Sequence, residues 1–116
     1  MRRRALRRGE IYWADLPGRY ARRPILIVTR SPTLRSATRI VAAPVTRHVR
    51  ALESEIDLGP REGLRSRSAA SCDNLQAVSR SAIDPRPVGR LARHRLPELD
   101  AALRYALEIR CPPLTR

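Results

Sequence analysis

The segment RRPILIVTR, Arg22 to Arg30, limits the fold more than any other stretch. Its centre is five consecutive apolar or β-branched residues, Ile25–Thr29, entered through Pro24. A run this short and this rich in β-branched side chains makes a buried strand more readily than a helix. The same grammar recurs along most of the chain, with short runs cut by proline and glycine. Glu10–Leu16 sets Ile11, Trp13 and Asp15 against Tyr12, Ala14 and Leu16, a strand with both faces partly covered that stops at Pro17–Gly18. Arg39–Val45 is a further strand, and its Pro44 argues for an edge position or a bulge. Ser54–Leu58 alternates and ends at the turn signal Gly59–Pro60. AASCDNLQAVSR, residues 69–80, is one strand bent near Asp73–Asn74, or two, and Val88–Leu91 is the last.

Only the end reads as helical. Over Pro97–Ile109 the apolar residues Leu99, Ala102, Leu103, Ala106 and Leu107 form one stripe, with proline in the first turn and Glu98 and Asp100 near the positive end of the dipole. Asp100 and Arg104 are spaced for an i,i+4 pair. The fold expected is mainly β with a terminal α-helix, a small bent barrel with the helix packed over it. With 116 residues there is one domain, divided into a basic flexible arm at 1–8, the domain proper at 9–110 and a C-terminal tail at 111–116.

Charge points to the partner. All 24 basic side chains are Arg, and against 11 acids they leave +13. Residues 1–50 hold 13 Arg against Glu10 and Asp15, a surplus of +11, whereas residues 51–116 hold 11 Arg against 9 acids, a surplus of +2. Such a surface attracts a polyanion, and nucleic acid is the default. Cys72 and Cys111 are too few for a disulfide framework and lack metal-ligand spacing, so a cytoplasmic protein with no metal and no cofactor is expected. MRRRALRR is followed by no apolar run, which excludes a signal or membrane segment as its reading. Trp13 reads as core, Tyr12 and Tyr20 as platforms for unstacked bases, and Cys72 as a small buried hydrophobe. His48 follows Thr46 by two residues, so on an extended segment both point the same way, which makes it a candidate proton shuttle or RNA contact.

Taken in order, RRGEIYWADLPG, RRPILIVTR, IVAAPVTRHVR, GLRSRSAASCDNLQAV and VGRL before LPELDAALRYAL resemble the MazF/PemK-type toxins, the mRNA interferases of bacterial toxin–antitoxin pairs. The resemblance spans roughly residues 7–109. It implies an SH3-like barrel that forms a homodimer, cleaves single-stranded RNA at short sites without a metal, and is inhibited by a cognate acidic antitoxin. Carried over residue by residue, it assigns catalysis to Arg23 of the Arg-Pro pair, Thr46 after Pro44–Val45, and Asp73 after Cys72. Tyr12, Arg19, Tyr20, Arg22, Arg47, His48 and Arg50 are the expected RNA contacts. The family's loop Glu has no counterpart in Gly18–Arg22, and Ser71 stands where some members have Arg, so the general base is left among Asp73, Tyr20 and Glu10. A gyrase-poisoning toxin of the CcdB type and a non-catalytic nucleic-acid-binding barrel are the alternatives.

Overall fold

The computed structural model describes residues 5–110, without the side chain of Arg19. Seven strands build one curled antiparallel sheet: β1 Glu10–Asp15, β2 Arg22–Ile27, β3 Arg39–Thr46, β4 Glu55–Leu58, β5 Ser68–Ser71, β6 Gln76–Ser79 and β7 Ile83–Arg90. The helix α1, Leu96–Leu107, follows. The sheet runs β4-β5-β3-β2-β1-β7, with β6 also paired to β3. The stretch expected as one bent strand or two is therefore two, parted by a 3-10 turn at Cys72–Asn74. The last strand begins five residues earlier than expected, at Ile83.

Strict alternation along the central strands feeds two cores. Ile11, Leu26, Val28, Ala43 and Val45 join Leu99 and Ala102 of α1 on one face of the sheet. Tyr12, Ala14, Leu16, Ile25, Ile27, Ile40 and Ala42 fill the other. A curled sheet buries both sides of its middle strands, which is why β2 reads as an uninterrupted apolar run. Of the helix stripe, Leu99 and Ala102 are buried and Leu103 and Ala106 pack against that core, but Leu107 is exposed.

Pro44 is neither at an edge nor at a bulge. β3 pairs with β2 on one side (Ile25↔Pro44). On the other it changes partner, from β6, ending at Ala42↔Gln76, to β5, starting at Val45↔Ala70. Pro44 falls in the gap between those two ladders, where a missing N–H breaks no pairing on that side. The domain also starts earlier than residue 9: Leu6 is buried, and Arg8 donates to the Val28 carbonyl (3.0 Å) and pairs with Asp100 (2.8 Å). Asp100 thus meets Arg8 across the fold rather than Arg104 on its own helix. The rest of the expected arm, residues 1–4, and the tail 111–116 with Cys111 lie outside the described residues. Among the described residues no helix is long and apolar enough to cross a membrane.

Candidate active site

Register brings the first two candidates together. β2 and β3 pair with Ile25 opposite Pro44, and the same register carried outward sets Arg23 opposite Thr46. Both residues stand at the ends of their strands, where the curled sheet opens into two adjoining basins. The larger, about 730 Å³, is bordered by Trp13, Arg22, Arg23, Thr46, Arg47, His48, Leu64, Arg65 and Val88 among others. The smaller, about 370 Å³, is bordered by Tyr20, Arg23, Thr46, His48, Arg50, Glu55, Ser71, Asp73 and Asn74 among others. Arg23, Thr46 and His48 belong to both, so they form the ridge between them. Charge divides along that ridge: the ionised side chains of the larger basin are all arginines, whereas the smaller also holds the carboxylates of Glu55 and Asp73.

Each ridge residue is held in a particular way. The Nε of Arg23 donates to the Tyr20 carbonyl at 2.9 Å, and its guanidinium lies 5.3 Å from the centre of the Tyr20 ring. That leaves the terminal N–H groups of the fork to face a ligand. Thr46 Oγ1 accepts the backbone N–H of His48 at 3.0 Å, so its own proton is free to be donated outward. The Oδ2 of Asp73 accepts the hydroxyl of buried Ser54 at 2.5 Å, which orients an otherwise exposed carboxylate. Glu55 Oε1 accepts the backbone N–H groups of Arg50 (3.0 Å) and Leu52 (3.5 Å) and shapes the loop leading into β4.

Strand alternation sends Arg22 and Arg23 to opposite faces. Arg22 stacks on Trp13, 5.7 Å from the ring centre, and pairs with Asp15 at 3.3 Å and Asp84 at 3.4 Å. Those neighbours hold the Asp84 carboxyl below the ordinary range, the hydrogen bond from the Arg86 backbone first and the arginine charges after it.

Two sequence readings are reversed. Tyr12 is fully buried, its hydroxyl donating to Glu10 at 2.7 Å, and is a core residue rather than a base platform. Trp13, expected in the core, is 41% exposed and borders the larger basin. The face it shares with Ile11 is covered by α1 at the Ile11 end and left open further along. Glu10 is buried, accepts the Arg7 backbone N–H (2.9 Å), and borders neither basin, which removes it as a base. Cys72 is buried as expected; burial, and then the Asp73 charge, push its thiol up to about 11, so it is no nucleophile. The side chain of Arg19 is outside what the structure describes. Arg65 and Glu55 escaped the sequence reading, although GLRSRS carried the signal of a glycine-led basic loop.

That loop is braced from below. A Cβ on Gly63 would meet the Val88 carbonyl oxygen at 2.2 Å, and one on Gly89 would meet that of Glu62 at 2.0 Å, so the two backbones touch where only glycine fits. Arg95 adds a latch, reaching Glu62 (3.1 Å), Glu98 (2.8 Å) and the Asp57 carbonyl (2.8 Å). Leu64 and Arg65 are thereby held at the rim of the larger basin.

Comparison with known proteins decides the family. The PemK-like, MazF-like toxin of type II toxin-antitoxin systems matches residues 7–107. The chain belongs to this toxin family. It is 32% identical to the probable endoribonuclease MazF5 of Mycobacterium tuberculosis over 87% of the chain and 92% of that protein. With the probable endoribonuclease MazF2 of the same species it shares 35% identity over 85% of the chain and 95% of that protein. Among solved structures, the Mycobacterium tuberculosis toxin MazF-mt6 superposes with a TM-score of 0.81 at 31% identity, covering 88% of this chain and 99% of that one. A mycobacterial endoribonuclease solved in complex with its cognate antitoxin gives 0.80 at 25% identity, covering 93% and 100%. The curled sheet with its terminal helix is thus the MazF fold.

Proposed function

We infer that this toxin is a metal-independent endoribonuclease that cuts single-stranded RNA on the ridge formed by Arg23 and Thr46. The observation that carries the reading is that Arg23 and Thr46 border both basins, the arginine-lined one and the one that holds Asp73. RNA brings its own nucleophile, the 2′-OH beside the scissile phosphate. The protein must accept its proton, balance charge on the phosphorane and protonate the departing 5′-oxygen. Arg23 suits the second task, because its fork grips two phosphate oxygens and never loses its charge. Thr46 donates a hydrogen bond to the same phosphate. Asp73, oriented through one oxygen by Ser54, offers the other to the 2′-OH. Arg22, Arg47, Arg50 and Arg65 carry the flanking phosphates, and Trp13 and Tyr20 offer ring faces to unstacked bases.

Family membership favours this reading over a gyrase poison or a non-catalytic barrel. The activity of its relatives named as endoribonucleases supports it as well. Cleavage in excess EDTA, leaving a 2′,3′-cyclic phosphate and a 5′-OH, is the expected result with purified protein; strict dependence on Mg²⁺ refutes it. The same arginines complement an acidic antitoxin, the partner proposed to silence this enzyme; a mycobacterial relative has been solved in complex with its cognate antitoxin. A homodimer completes the proposal, since the last turn of α1 and the residues after it expose Tyr105, Leu107 and Ile109. Sedimentation as a monomer at micromolar concentration refutes that part.

A further inference from the structure

The cleavage proposed above, on which this inference rests, still lacks a donor for the departing 5′-oxygen. A guanidinium holds its proton too tightly, and a threonine hydroxyl is too weak an acid. His48 shares the ridge with Arg23 and Thr46. It borders both basins, and its backbone N–H is tied to Thr46 Oγ1. The residue is exposed, and among the described residues no hydrogen bond or ion pair engages its ring. Imidazole is also the side chain that gains and loses a proton near neutral pH.

Other groups in the basins are committed elsewhere. Glu55 accepts two backbone N–H groups of the loop before β4. Asp73 takes the Ser54 hydroxyl and lies on the side assigned to the 2′-OH. The ring of Tyr20 lies against the Arg23 guanidinium. The charged groups that share the two basins with His48 are Arg22 and Arg23 of β2, Arg47 and Arg50 of its own segment, Arg65 of the loop before β5, Glu55 of β4 and Asp73.

We propose that His48 is the general acid of the cleavage reaction. The 2′-oxygen attacks phosphorus and forms the O2′–P bond of the cyclic phosphate while its proton passes to Asp73. The P–O5′ bond breaks, and protonated His48 gives a ring proton to the leaving oxygen, which departs as a free 5′-OH. Neutral imidazole and protonated carboxyl then exchange protons with solvent, restoring both groups.

The test compares wild type and His48→Gln on one short RNA in excess EDTA, and on the same RNA with sulfur in place of the bridging 5′-oxygen at the cleaved bond. Thiolate leaves without a proton. The oxygen substrate is therefore expected to lose about 10²-fold in single-turnover rate with His48→Gln, and the sulfur substrate only a few-fold. The wild-type rate should fall on the alkaline side of its pH profile, and that limb should vanish in the variant. Equal losses on the two substrates, or none on either, overturn the role of His48 and leave the nuclease reading standing. A wild type that does not cut in EDTA overturns both.

Discussion

Removing Arg23 tests the proposed chemistry at its centre. In Arg23→Ala the ridge loses the fork that faces the phosphorane, along with the Nε–H bond to the Tyr20 carbonyl and the stack on that ring. Loss of one preorganised transition-state donor lowers the rate by about 10²- to 10³-fold, roughly 2.7–4 kcal/mol. Binding should suffer far less. Four other arginines, Arg22, Arg47, Arg50 and Arg65, border the two basins, so the slope of log affinity against log salt should fall by only about one. Arg23→Lys keeps the charge but supplies neither the planar fork nor the donor to Tyr20, and should recover only part of the rate. Arg22→Ala is the control: it lies on the opposite face, over Trp13, and its charge is already shared with Asp15 and Asp84. Its removal should touch affinity and salt dependence more than the chemical step. The assay is single-turnover cleavage of a short RNA at saturating enzyme, with affinity measured separately at several salt concentrations. If Arg22→Ala and Arg23→Ala lose rate and affinity equally, Arg23 is only part of the basic surface and the catalytic assignment is wrong.

Trp13→Ala should weaken RNA binding by about 1–3 kcal/mol, the worth of one stacked base, while shifting the melting temperature little, because the ring is 41% exposed. Tyr12→Phe should do the opposite, destabilising by about 1.5–3 kcal/mol in urea titration through loss of the bond to the Glu10 carboxylate, with RNA affinity unchanged. Gly89→Ala has to displace the Glu62 carbonyl. It should cost about 1–3 kcal/mol and loosen the Arg65 loop, which reduced protease resistance at residues 63–67 would report. The hydrogen bond and charge of Arg95 hold the Glu98 carboxyl below its ordinary range. Its stabilising effect is therefore complete above about pH 4.3 and disappears as the pH falls through the lower folded-state value. Urea midpoints of wild type and Glu98→Gln should differ at pH 6 and converge in acid.

Local pattern carried a large part of this protein. The apolar run of β2 and the stripe of α1 are legible because a strand's two-residue period and a helix's 3.6-residue period are written in neighbouring residues. Arg23 and Thr46 were proposed for a different reason, from their Arg-Pro and Pro-Val-Thr settings in ordered motifs, and the fold brings both to the border of the two basins. What failed was every reading that needed to know what lies across from a residue. Ile11, Tyr12 and Trp13 are consecutive and apolar, yet only the reach of α1 along one face decides that Ile11 is covered while Trp13 opens onto a basin. Pro44 looked like an edge residue until β3 was seen to change partners beside it. Asp100 had Arg104 one turn away and chose Arg8, 92 residues distant in sequence. Nothing near Gly63 or Gly89 announces that their backbones touch. Alternation and periodicity tell a side chain which way to point; how far the next element extends over it depends on chain closure between distant segments, and that is fixed only when the sheet curls.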